Sequence, residues 1–149
     1  QLVQGKLLET RASTAEMSKL MENTYRDLNI ALANELVKIS DKLNINALDV
    51  IKLANEHPRV NIHLPGPGVG GHCLAVDPYF IVASDPENSE IIANARKINN
   101  SMPKYVIEKV NSIFFSLHSS YTNLVFPREG VSLNQWCEGK GSAKQNLAL

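Results

Sequence analysis

Between residues 14 and 40, the apolar residues Met17, Leu20, Met21, Leu28, Ala31, Leu32, Leu36 and Ile39 recur at the intervals that line one face of an α-helix. Ser13 and Glu16 stand just ahead of that stripe in the Ser-x-x-Glu spacing of a capping box, so the pattern predicts a long helix over about 14–40. A second start signal, Asn46 followed by Asp49, opens Leu48, Ile51, Leu53 and Ala54. Pro58 restricts the residue before it and ends this helix near His57. Together the two helices make a hairpin.

From Arg59 to Gly71 the periodicity vanishes. Pro65, Gly66, Pro67, Gly68, Gly70 and Gly71 crowd the stretch 65–71, a density that predicts an irregular loop with positive-φ turns. Cys73 comes next, and Leu74, Val76, Tyr79, Phe80 and Val82 predict a helix that opens at the cysteine with Pro78 in its first turns. Ile91, Ile92, Ala95 and Ile98 share a face of a helix over about 87–101. Beyond Pro103, residues Tyr105, Val106, Val110, Ile113 and Phe114 do the same over about 103–117. After Ser116 neither period is sustained, and residues 118–149 are expected to form a disordered or loosely attached tail. The fold class is therefore all-α, with the helical domain over residues 13–117.

Composition narrows the partners more than the chemistry. With 149 residues and 44% apolar positions the chain has room for one domain with a real core. Fifteen basic residues balance fifteen acidic ones, so no net charge draws in nucleic acid or an anionic membrane surface. No apolar run is long enough to span a bilayer, and the N-terminal residues lack a secretory layout, which together predict a soluble, cytoplasmic protein. The two cysteines, Cys73 and Cys137, are too few and too unlike in their surroundings for a disulfide framework.

The stretch GPGVGGHCLAVDPYF, residues 66–80, concentrates the candidate chemistry. Glycines let backbone N–H groups face one concavity, and a helix starting at the cysteine would add the positive end of its dipole, so Cys73 is placed to act as a nucleophilic thiolate. Asp77 follows four residues later on the same helical face, in position to orient water or exchange protons near the sulfur. On the long helix Lys19, Asn23 and Arg26 share a face apart from the apolar stripe, and a cation with an amide one turn away suits an oxyanion. The same residues, with Glu16 and Glu22, also describe an ordinary solvated face of weak ion pairs. His57, His63, His72, Cys73 and Asp77 cluster in sequence without a CxxC or HExxH spacing, so no metal site is predicted. No strand–GxGxxG–helix unit occurs in the chain, which leaves it without a dinucleotide site of its own.

Three segments, in this order, resemble the UDP-glucose/GDP-mannose dehydrogenase family: residues 14–36, 57–82 and 93–110, with the Gly-Gly-x-Cys-x-x-x-Asp core some fifty residues beyond the Lys-x-x-x-Asn helix. The resemblance covers roughly residues 5–115 and implies the family's central helical dimerisation domain, similar to the C-terminal domain of 6-phosphogluconate dehydrogenase, without the flanking Rossmann-like domains. It implies NAD-dependent oxidation of a nucleotide sugar at C6, with Cys73 carrying the thiohemiacetal and thioester, Lys19 and Asn23 holding the C6 oxygen, and Asp77 activating water. It further implies that Arg59 reaches substrate bound to the partner subunit of a homodimer, and that Gly66, Gly68, Gly70 and Gly71 wrap the sugar. NAD itself would be bound by a domain missing from this chain. Asn34 and Glu35 fall on a matching Asn-Glu pair whose role, structural or substrate-binding, the sequence leaves open.

His72 before the cysteine, with PGPGVGGH, favours UDP-N-acetylmannosamine over UDP-glucose or GDP-mannose, and Tyr79 stands where close relatives often have tryptophan. Residues 1–12 then read as a remnant of the connection from an NAD-binding domain. Residues 119–149 fit neither the family nor a regular period and are expected to come from a truncated or shifted reading frame. A chain of this kind is expected to be inactive alone, and a purely structural dimerisation module is the alternative. Architecturally similar 6-phosphogluconate and 3-hydroxyacid dehydrogenases need no cysteine nucleophile, so the Cys73 core argues against them.

Overall fold

The computed structural model describes the backbone of residues 5–125 and the side chains of residues 5–117. Every regular element among them is a helix: α1 Ala12–Leu43, α2 Ala47–Ala54, α3 Asp77–Ser84 and α4 Glu90–Val125. The chain divides into two compact units, residues 1–108 and 109–149. The first contains α1, α2, α3 and the N-terminal half of α4. In the second, the described part is a helical stretch whose Val110, Ile113, Phe114, Phe115 and Leu117 are exposed.

The ends of α1 differ from the sequence expectation. Ser13 and Glu16 lie inside the helix, and the N-cap is Arg11, in an extended conformation with no side-chain cap. Ala12, the strongest helix former, continues the helix back past Ser13, and the Ala15 N–H closes the first turn on the Arg11 carbonyl at 3.0 Å. At the other end Asn44 adopts the left-handed conformation at φ 57°, a role asparagine tolerates better than most side chains, and α1 stops there. Asn46 caps α2 as expected, its Oδ1 accepting from the Leu48 N–H at 2.9 Å. The regular part of α2 ends at Ala54, and separate turns carry the chain on to His57.

Two expectations fail at prolines. The helix does not open at Cys73: residues 73–76 form a turn, and α3 begins at Asp77 with Pro78 in its first turn. A helix running from Cys73 through Pro78 would lack the N–H owed to the Leu74 carbonyl, whereas in the first turn of α3 that missing donor costs nothing. Pro103, by contrast, splits no helix. It sits inside α4, which runs unbroken through the expected boundary and on past residue 117. There it forfeits one backbone hydrogen bond, to the Asn99 carbonyl, and this part of the helix face is where the glycine loop packs: a Cβ on Gly68 would lie 3.4 Å from Pro103 Cγ and 3.6 Å from Asn99 O. The backbone of α4 continues to Val125, and the rest of the expected tail lies outside the described residues.

The core takes in only part of the stripes that periodicity picked out: Ala31, Ile51 and Ala95 are buried as expected. Leu32 is 55% exposed and Ile91 74%, and Met17, Met21 and Ile39 are also exposed. Beside the buried small residues, Ala33 among them, runs a seam of polar ones along α1 and α4: Asn23, Asp27, Asn34, Arg96 and Asn99. Alanines let the helices approach closely, and the seam closes by pairing. Arg96 Nη1 donates to Asp27 Oδ1 at 2.6 Å, Asn99 Nδ2 donates to the same oxygen at 2.8 Å and to the Asp27 carbonyl at 3.0 Å, and Asn34 Nδ2 donates to Asn99 Oδ1 at 2.9 Å. The pairing is partial: Asp27 Oδ2 and Arg96 Nε are buried without a hydrogen-bond partner, so the seam keeps part of the desolvation cost of a buried ion pair.

Candidate active site

Asparagine side chains stitch the irregular segment after α2 to the helices. Asn55 Oδ1 accepts from the Ile62 N–H at 2.7 Å and its Nδ2 donates to the Ile62 carbonyl at 3.0 Å. Asn29 holds the neighbouring peptides, donating to the Asn61 carbonyl and accepting from the His63 N–H, each at 2.9 Å. Asn34 accepts from the Gly66 N–H at 2.8 Å while donating to Asn99, which makes its role structural. Glu35, beside it, is exposed and lines a surface groove. A side-chain amide offers a donor and an acceptor at a peptide's own spacing, so it substitutes for the missing backbone partner. Of the predicted positive-φ glycines, Gly68 at 140° and Gly71 at 93° require glycine; a Cβ on Gly66 would make only an ordinary contact at 3.8 Å and one on Gly70 would meet open space.

The loop delivers Cys73, exposed and with a free thiol, at the start of the turn before α3. The Cys73 carbonyl accepts from Val76 N–H at 3.0 Å and from Asp77 N–H at 2.8 Å. Cys73 and Asp77 therefore span a single α-turn, as their spacing suggested, although the dipole of α3 begins beyond the thiol rather than at it. Across from this turn, α1 supplies Asn23, which is buried and donates through Nδ2 to Asp77 Oδ2 at 2.6 Å. Lys19, one turn earlier on α1, is exposed and pairs with Glu22 at 2.8 Å. Its pKa is raised above the ordinary 10.5, first by the hydrogen bond and charge of Glu22, partly offset by desolvation, and further by the charges of Cys73 and Asp77.

Four residues predicted from sequence, Cys73, Asp77, Asn23 and Lys19, thus gather where the 73–77 turn faces α1. Arg59 does not join them. It is exposed, in the turn beyond α2, and its backbone N–H donates to His57 Nδ1 at 3.2 Å. Arg26 is also exposed. The exposed ion pair of Lys19 with Glu22 was among the weak pairs the sequence allowed, but sequence reasoning missed the Asp27, Arg96 and Asn99 seam below Asn23. Polar residues at 23, 27 and 34, at helical spacing around Ala31, were the available signal.

No group of three or more His, Cys, Asp or Glu among the described residues is arranged to hold a metal ion. Those residues also form no strand, so they build no strand–glycine turn–helix cradle of the kind that binds a dinucleotide. A helical platform carrying a glycine loop, a free thiol and a carboxylate held by an amide is the architecture of a nucleotide-sugar dehydrogenase's central domain.

Residues 13–101 match the central domain of the UDP-glucose/GDP-mannose dehydrogenase family, and the chain belongs to that family. It is 59% identical over 111 residues to the UDP-N-acetyl-D-mannosamine dehydrogenase of Methanocaldococcus jannaschii, which covers 74% of this chain and 26% of that protein. It is 55% identical over 108 residues, 72% of this chain and 26% of that one, to an NDP-N-acetyl-D-galactosaminuronic acid dehydrogenase of Ralstonia solanacearum. Among solved structures, a UDP-N-acetyl-mannosamine dehydrogenase of Staphylococcus aureus superposes with a TM-score of 0.68 at 70% identity, over 76% of this chain and 27% of that one. A Pyrococcus horikoshii enzyme, named for UDP-D-ManNAc, superposes with a TM-score of 0.71 at 47% identity, over 80% and 28%. The chain therefore spans about a quarter of the length of these relatives.

Proposed function

We propose that this chain supplies the covalent half of a UDP-N-acetylmannosamine 6-dehydrogenase: the thiol that captures the C6 aldehyde and the groups that manage its oxygen. The observation that carries the reading is the Asn23 to Asp77 hydrogen bond, which joins α1 to the turn bearing Cys73. The Cys73 sulfur adds to the aldehyde carbon, the carbonyl π pair moves to oxygen, and a thiohemiacetal results. Lys19 faces that oxygen as a cation, its raised pKa keeping it protonated, and Asn23 offers an amide donor beside it. Once the adduct is oxidised to a thioester, Asp77 accepts a proton from water as the water oxygen attacks the acyl carbon, and the C–S bond breaks to release carboxylate and thiol.

Hydride transfer to NAD+, the oxidant of the family's reaction, is assigned to another domain of the whole enzyme, and the chain alone is expected to be inactive. The sugar follows the names of the relatives and the His72-Cys73 pair. Arg59, exposed in the turn beyond α2, is assigned to the partner subunit's substrate, and Gly66, Gly68, Gly70 and Gly71 to the wall around the sugar. The homodimer uses the exposed α1 and α4 face, where Leu28, Ala31, Leu32, Ile91, Ala95 and Ile98 line a groove of about 290 Å³.

The test is a chimera in which residues 13–117 replace the matching segment of the Staphylococcus aureus relative. With UDP-N-acetylmannosamine and NAD+ it should turn over with two NADH formed per sugar, and Cys73→Ala in the chimera should lower kcat at least a thousandfold. A Cys73→Ala chimera that still releases the uronic acid at the unmodified rate would sink the assignment.

A further inference from the structure

Asp77 touches α1 through Asn23, but α3 is only eight residues long, and among its described residues only Pro78 is buried. A helix that short and that exposed does not hold a carboxylate by itself. Tyr79, two residues past Asp77, carries a second set of contacts. Its ring lies 5.5 Å from the guanidinium carbon of Arg96, and its hydroxyl accepts from Asn100 Nδ2 at 2.9 Å. Arg96 Nη2 in turn donates to Asn100 Oδ1 at 2.7 Å, so the guanidinium and the amide grip the phenol together.

Arg96 is itself immobilised, buried against Asp27 on α1 at 2.6 Å. Asp27 stands one helical turn beyond Asn23. The contacts therefore close on themselves: Asn23 to Asp77, along the start of α3 to Tyr79, across to Arg96, back to Asp27, and one turn down α1 to Asn23. We propose that Arg96 and Tyr79 are positioning residues for the reaction assigned above, a clamp that holds the Asp77 carboxylate against Asn23 by gripping α3 from the α4 side.

The chemistry of the clamp fixes which residues can serve. Position 96 needs a planar, forked cation, since one edge meets Asp27, the other meets Asn100, and its face meets a ring. Position 79 needs an aromatic face with a polar edge. Tryptophan satisfies both demands, with its indole N–H meeting the Asn100 amide oxygen, whereas phenylalanine keeps only the face. The lowered pKa of Tyr79, caused first by the Asn100 hydrogen bond and then by Arg96, agrees with this grip.

The inference rests on Asn23 and Asp77 being a reacting pair, and its test separates the two ideas. In the isotopically labelled chain, the side-chain amide protons of Asn23 report the contact with Asp77 by NMR, and Asp77→Ala, which removes the acceptor, defines their position once the contact is lost. Tyr79→Ala and Arg96→Lys should each move the Asn23 signals at least halfway to that position with helical content unchanged, and Tyr79→Trp should leave them in place. Should Arg96→Lys not fold, the exposed Tyr79→Ala variant carries the result alone. Asn23 signals unmoved by Tyr79→Ala, while Asp77→Ala moves them, would overturn the clamp and leave the site standing. Signals unmoved by Asp77→Ala would overturn both.

Discussion

Lys19 is held by Glu22 one turn along its own helix, in an exposed ion pair that does little for stability. The consequence lies in protonation. The pKa of Lys19 stands above 10.5 in the folded chain, so the small folding contribution of its pairing is fully present below the ordinary value and is lost only as pH rises through the raised one. Across the neutral range Lys19 is a fixed cation, which suits a group that stabilises an oxyanion and not one that donates protons. Glu22→Gln removes the largest cause of the shift. NMR titration of ¹³C-methylated lysines should show the Lys19 resonance moving toward the ordinary lysine value in that variant, and an unchanged titration would place the cause elsewhere. The grouping of the candidate residues was legible because their types and spacings are unusual: a cysteine behind four glycines, an aspartate four residues later, and a lysine and asparagine one turn apart. The pairing of Lys19 with Glu22 was legible too, but only as one of several commonplace ion pairs on an exposed helix face.

Among the elements, the boundary errors all have backbone causes. Proline acts as a stop, a start or a passenger depending on whether its absent N–H is owed to a buried carbonyl, and spacing alone does not reveal which. Pro58, Pro78 and Pro103 occupy a turn, the first turn of α3 and the interior of α4. Pro103 is accepted because the loop leans on it, and that contact makes Gly68 the most demanding glycine of the loop. With φ at 140° and Pro103 Cγ at 3.4 Å from an added Cβ, Gly68→Ala should cost about 1–3 kcal/mol in chemical denaturation. Gly70→Ala, facing open space, should stay within about 0.5 kcal/mol of the unmodified chain. Equal losses at the two positions would mean that the loop does not pack on α4 as described. The glycine count predicted a loop; which glycines matter depends on contacts with a helix some thirty residues further on, which no local pattern encodes.

At the scale of the molecule, the helical stripe identified the right element but only part of its buried face. Met17, Met21, Leu32 and Ile39 recur as a core should, yet all are exposed, while Ala31 of the same stripe is buried with Asn23, Asp27 and Asn34. Two faces of α1 are thus in use, one inward and polar, one outward and apolar. In the homodimer proposed above, the second subunit would cover this apolar face. Sedimentation of the chain should therefore give a dimer, and Leu32→Glu, at the edge of the groove with Ile91 and Ile98, should shift it to monomer without loss of helix. A chain that sediments as a monomer at high concentration would remove the dimer and, with it, the role given to Arg59.

The polar seam has one more consequence, for how these helices tolerate change in length. Apolar surfaces slide past one another at modest cost, but Arg96 and Asn99 must both reach a single carboxylate oxygen of Asp27, and Asn34 must reach Asn99 two turns further on. Each added residue rotates a helix by about 100°. An insertion or deletion between Asn23 and Asn34 would swing one end of the seam away from the other, as a key cut one notch out of step no longer turns its lock. An inserted residue in α1 should therefore cost more stability between Asn23 and Asn34, eleven positions apart, than near the exposed ends of the helix.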